Sequence, residues 1–174
     1  SMTVQHAKWL EAARAPDWRL PVGSLNVLLT STCWRNDHNG FSHQGPGLID
    51  TVMAMSGDVV RVYLPPDANC LLSVADHCFA SRNHVNLIVI YKQLELQYLP
   101  MDAAITHCTR GASVREWAST DDGNTPHVVP DCPGDIPALE TLAAAAFIRQ
   151  IVQPLRDRPT SVLDMLDTPP PDTP

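Results

Sequence analysis

The chain has 174 residues, enough for one domain with a real core. A formal net charge of −7 argues against a nucleic-acid partner, since phosphate backbones select basic surfaces. No apolar run approaches the roughly 20 residues needed to cross a bilayer, and the N-terminus carries no apolar signal segment, so no membrane partner is expected.

Ser1 ahead of Met2 reads as a cloning remnant, so residues 1–2 are set apart from the domain at 3–166. Thr3 to Arg14 reads as a helix ended by Pro16, and Leu25 to Thr32 as a strand, because it is apolar and partly β-branched. A polar stretch rich in His, Asn and Gly follows from Cys33 to Gly47, and then a short helix from Leu48 to Met55. Asp58 to Leu64 is a second strand closed by Pro65-Pro66. Asp67 stands where its side chain can cap a helix running to Arg82. Val85 to Ile90 is the most apolar strand and reads as parallel and buried on both faces. Met101 to Arg110 is a helix closed by Gly111, and Ser113 to Ala118 and His127 to Pro130 are weak strands. Pro137 to Val152 is a helix dominated by Ala and Leu. Ser161 to Leu166 reads as either strand or helix, and the Pro-rich tail 167–174 as disordered.

Alternation of strands and helices predicts the α/β class, a three-layer sandwich with a mostly parallel sheet. In such sheets ligands bind beyond the carboxyl ends of the strands. Two polar segments occupy such ends: Cys33 to Gln44 after the first strand, and Tyr91-Lys92-Gln93 after the third. If those strands are parallel, the two segments share one edge and form one site.

The richer segment holds His38 and His43 with Asn39 between them, a set of proton donors, acceptors and an amide suited to proton transfer and oxyanion contact. The same composition also describes an ordinary polar turn, and Cys33, His38 and His43 could instead ligate zinc, although their spacing matches no common zinc pattern. Lys92 follows an apolar strand directly and is either a phosphate anchor or a solvated lysine. Five cysteines, an odd number without C-x-x-C spacing, predict buried free thiols and a reducing compartment. His77-Cys78 and His107-Cys108 fall in predicted helices and read as structural or surface pairs, and Asp67 as a simple cap.

Several long strings resemble the xylulose 5-phosphate/fructose 6-phosphate phosphoketolases: DHNGFSHQ (37–44), VVRVYLPPDANCLLSVADHC (59–78), Lys92-Gln93, Met101 to Ala104, Glu116 to Ser119 and Gly134 to Pro137. The resemblance implies a cytoplasmic homodimer dependent on thiamine diphosphate and Mg²⁺. Such an enzyme cleaves xylulose 5-phosphate, and often fructose 6-phosphate, with inorganic phosphate to acetyl phosphate and an aldose phosphate. The implied fold is the pyrimidine-binding-type middle domain of thiamine diphosphate enzymes. His38, Asn39 and His43 would line the active site, and Lys92 would bind the sugar phosphate. Tyr91 stands where the family usually has glycine, and Leu94 where it usually has proline. The diphosphate- and metal-binding domain, and the glutamate that activates the aminopyrimidine, have no counterpart among the 174 residues. The chain alone is therefore expected to be inactive and to hold no cofactor tightly. The competing expectation is a non-catalytic remnant that serves dimerisation or sugar-phosphate binding.

Overall fold

A computed structural model describes residues 2–30, 47–91, 93–151 and 163–165. Three parallel strands form the centre: β1 (Leu25–Leu29), β2 (Val60–Tyr63) and β3 (Val85–Val89), in spatial order β1-β3-β2. Leu25 and Val60 both stand opposite Val85, so the three strands start level. All five β3 residues are buried, as expected of a central strand covered on both faces.

Side-chain alternation along the strands builds two different cores. On one face Val60, Val62, Val85, Leu87 and Val89 pack with Ala7 and Leu10 of α1 (Met2–Ala13) and Val52 of α2 (Leu48–Met53). On the other, Tyr63 and Ile88 meet Val74 and Cys78 of α3 (Ala68–Ala80). Helix, sheet and helix thus form the three layers that the alternating pattern predicts. A buried residue such as Leu87, 1 % exposed, contributes about 1.5–3 kcal/mol through removal from water.

The second half extends this unit. Helix α4 (Met101–Arg110) packs on α3 and ends at Gly111, whose φ of 80° is the left-handed cap that glycine adopts without a Cβ penalty. Strand β4 (Ala112–Val114) pairs antiparallel with β5 (Leu163–Met165), so Ser161 to Leu166 contributes a strand rather than a helix. Helix α5 spans Asp135–Ile151.

Two expectations need correction. The strand predicted over Ser113 to Ala118 stops at Val114, and Glu116–Ala118 is a 3₁₀ turn. Arg115 breaks the pattern because it turns inward and is only 3 % exposed. No strand runs through His127 to Pro130, where Pro126 and Pro130 withhold ladder donors. Cys70, Cys78 and Cys132 are buried free thiols, and Cys108 is a partly buried one. Burial pushes the Cys78 thiol up to about 11, against a smaller opposing effect of its hydrogen bond with Tyr63, so it packs as a neutral group.

His107 is structural. Its ring is 2 % exposed, and Nδ1 lies 2.7 Å from Ser113 Oγ, joining α4 to β4. Burial, reinforced by the charge of Arg115 and opposed by Asp67, lowers its pKa from 6.5 to about 4. A base depressed on folding stabilises the fold fully above its unfolded pKa and loses that advantage as pH falls toward the folded value. Urea unfolding should therefore show about 3 kcal/mol lost by the parent chain between pH 7 and pH 4 beyond the loss in His107→Gln. Parallel pH profiles for the two proteins would contradict this account.

Candidate functional site at the carboxyl edge of the sheet

Because β1 and β3 are hydrogen-bonded neighbours running in the same direction, the chain leaves both at one edge. The Ile90 N–H donates to the Leu29 carbonyl at 2.8 Å, which holds the two exits side by side. His38, Asn39 and His43 follow β1 directly and Lys92 follows β3, and all four lie outside the described residues, as does Cys33 of the zinc alternative. Their anchoring strands do converge as the parallel reading requires. Among the described residues no cluster of three His, Cys, Asp or Glu side chains could hold a metal ion.

A cavity of about 200 Å³ opens at this edge, between the exits of β2 and β3. Pro65, Leu71, Ile90 and Tyr91 give it apolar walls, and Gln93 and Glu95 supply polar ones. Tyr91 and Gln93, the neighbours of Lys92 in the chain, both line it. Tyr91 is 8 % exposed, whereas Leu94 is fully exposed at the rim.

Asp67 also borders the cavity and does more than cap a helix. Its Oδ1 accepts from Cys70 N at 2.8 Å, the expected cap of α3. Its Oδ2 accepts from Tyr98 N at 3.0 Å and Leu99 N at 2.9 Å. Asn69 adds a bond from Nδ2 to the Leu99 carbonyl at 2.8 Å. Residues 93–96 form one wall of the cavity, and the chain just after them is thereby tied to the start of α3. Burial favours the protonated acid, but the three backbone donors outweigh it and hold the Asp67 carboxyl below its usual range. With its oxygens so engaged, Asp67 is a positioning residue and not a general base. The Pro-Pro-Asp string signals the cap, but nothing in it names a partner some thirty residues further on.

A third element reaches the same edge. Asp135, 8 % exposed, borders the cavity, and its Oδ1 accepts from Ile136 N at 2.7 Å as α5 begins. Gly134, at φ 86°, takes the left-handed backbone that favours glycine, and its turn lies beside Leu64, just past β2.

Residues 1–81 match the family model described as D-xylulose 5-phosphate/D-fructose 6-phosphate phosphoketolase, and residues 92–173 match the model described as the XFP C-terminal domain. The chain belongs to the phosphoketolase family. It is 60 % identical over 166 residues to a probable phosphoketolase of Rhodopseudomonas palustris strain HaA2, covering 95 % of this chain and 21 % of that relative. It is 58 % identical over 166 residues to probable phosphoketolase 2 of Nostoc sp. strain PCC 7120, with the same coverage. It is also 56 % identical over 165 residues to a probable phosphoketolase of Methylococcus capsulatus strain Bath, covering 95 % of this chain and 20 % of the relative. The chain thus spans about a fifth of the length of these phosphoketolases. The two family models meet at β3, whose residues fall between the matched stretches.

Replacing Asp67 removes a cap and two further charge-assisted bonds at once. Asp67→Ala should destabilise this phosphoketolase segment by about 3 kcal/mol at pH 7, and the Tyr98 and Leu99 amides should lose their hydrogen-exchange protection. For a depressed carboxylate this stabilisation is present above the unfolded pKa and disappears as pH falls through the folded one, so parent and variant should converge in acid. A loss under 1 kcal/mol with both amides still protected would overturn the clamp.

Proposed function

We propose that this chain supplies part of the substrate-handling edge of an enzyme that cleaves xylulose 5-phosphate, fructose 6-phosphate or both. The co-substrate is inorganic phosphate, and the products are acetyl phosphate and an aldose phosphate. The observation that carries this reading is the adjacency of β1 and β3. It brings the exits leading to DHNGFSHQ and to Lys92 to one sheet edge, beside the cavity that Tyr91 and Gln93 line.

In this reading His38 and His43 handle protons. An imidazole titrates near neutral pH, and departure of a hydroxyl from a bound two-carbon unit requires a proton. Asn39 orients an oxygen of that unit by hydrogen bonding. Lys92 holds the sugar phosphate as a point charge. Tyr91 and Leu94, in place of the family's usual glycine and proline, then set the path of the chain on either side of that lysine.

Thiamine diphosphate would supply the electron sink for carbon–carbon cleavage. The described residues fit it in one respect: Pro65, Leu71, Ile90 and Tyr91 offer an apolar wall suited to a flat ring. In our reading Mg²⁺ and the diphosphate are held by other parts of a longer cytoplasmic homodimer. The 174 residues alone then carry no turnover.

Two variants in a complete enzyme containing these residues test the roles separately. His43→Ala should lower turnover by about 10²–10⁴-fold, the usual worth of general acid–base catalysis, and wild-type turnover would remove the histidine from the mechanism. Lys92→Ala should raise the Michaelis constant for the sugar phosphate by roughly 10- to 100-fold. An unphosphorylated analogue should lose little further. Equal losses for both substrates, or no loss, would make Lys92 a solvated surface residue.

A further inference from the structure

A second cavity, of about 170 Å³, lies at the opposite end of the sheet, where the chain enters β1 and β3. Arg14 at the end of α1, Arg19, Val22 and Asn83 form its working walls. Two reciprocal hydrogen bonds frame it. The Val22 N–H donates to Asn83 Oδ1 and the Asn83 N–H to the Val22 carbonyl, both at 2.9 Å, with Asn83 held at a φ of 60°.

Both arginines are fixed without being neutralised. Arg14 Nη1 donates to the Asp58 carbonyl at 2.6 Å, and the Arg19 guanidinium lies 4.8 Å from the centre of the Trp9 ring. These contacts orient the two groups and leave most of their donors unused. Among the described residues neither arginine has an ion pair, although Glu11 and Asp17 lie close in sequence and the chain carries a net charge of −7. The charge of Arg14 also reaches the neighbouring His84. Burial, then the charge of Arg61, and to a lesser degree those of Arg14 and His77, disfavour protonation of the neighbouring His84, against the backbone contact of Arg82.

We propose that this cavity binds a phosphate-type oxyanion, either inorganic phosphate or the phosphoryl group of a small metabolite, between the guanidiniums of Arg14 and Arg19. A guanidinium presents a planar fork of donors that matches phosphate oxygens two at a time, and two arginines lining one cavity suit a tetrahedral anion better than a carboxylate. Occupancy would tie the end of α1 to the segment that enters β1. The site stands at the amino end of the strands and does not depend on the reading of the carboxyl edge.

The test is an NMR titration of the 174-residue chain, following the Trp9 indole and the Arg14 and Arg19 Nε–H resonances. Inorganic phosphate and glycerol 3-phosphate form two arms, with sodium chloride at matched ionic strength as the control. Saturable shifts at these groups in either phosphate arm, absent with chloride, are expected, and the tighter arm identifies the source of the anion. Arg19→Gln, on an exposed side chain, should keep the circular dichroism spectrum and weaken binding at least tenfold. Arg14→Lys, which keeps the charge but loses the fork, should weaken it by a smaller factor. Shifts that chloride reproduces, or an affinity unchanged in Arg19→Gln, would overturn the proposal.

Discussion

The placement of β3 between β1 and β2 is the constraint on which the rest of this structure depends. Its five residues are all buried, and both neighbours hydrogen-bond to it in parallel. Parallel pairing forces each connection to cross back over the sheet, and these crossovers carry the helices that cover the two faces. The apolar groups of β3 therefore serve two cores, with Leu87 and Val89 facing α1 and α2, and Ile88 facing α3. The same pairing makes three strand exits coincide at one edge, so the geometry that buries the core also assembles the candidate site.

That edge is shaped by polar groups that do no chemistry themselves. Asp67 joins the start of α3 to Tyr98 and Leu99, just after the wall formed by residues 93–96, and Asn69 secures the same stretch through Leu99. Behind them Arg115 lies 5.8 Å from the Tyr98 ring, and His107 bonds Ser113 across the α4–β4 turn. Buried polar groups of this kind are costly if left unmet and hold neighbouring segments in register when satisfied. The cavity beside Tyr91 thus has one rigid wall from the sheet and one pinned from a distance.

Much of the fold was legible in the residues. Strand periods, the Asp67 cap, the Gly111 stop and the Ala-rich α5 each have a local cause, and local causes can be read without a structure. Arg115 shows where such reading ends: an arginine in a short β-like run gives no local sign that it will turn inward and be buried beside Tyr98. The second role of Asp67 was hidden for the same reason, because its partners Tyr98 and Leu99 arrive through tertiary folding. For the candidate site, a shared edge was expected on the condition that the strands are parallel, and the adjacency of the two exits came only with the order β1-β3-β2. His38, Asn39, His43 and Lys92 themselves lie outside the described residues. The arginine cavity was invisible in sequence because the segment carrying Arg14 and Arg19 meets Asn83 only once β1 and β3 pair.

Family membership and geometry together frame a specific functional reading. A chain that spans about a fifth of its phosphoketolase relatives carries two polar segments at adjacent strand exits, and the account holds that they act on one substrate. A double-mutant cycle on His43 and Lys92 in the complete enzyme, with kcat/KM measured for the sugar phosphate, tests this most directly. Residues that share a site couple by about 0.5–3 kcal/mol, whereas distant independent ones add to within about 0.3–0.5 kcal/mol. The account predicts a coupling of at least about 1 kcal/mol, within the range for residues sharing a site. Strict additivity of two individually large effects would contradict it.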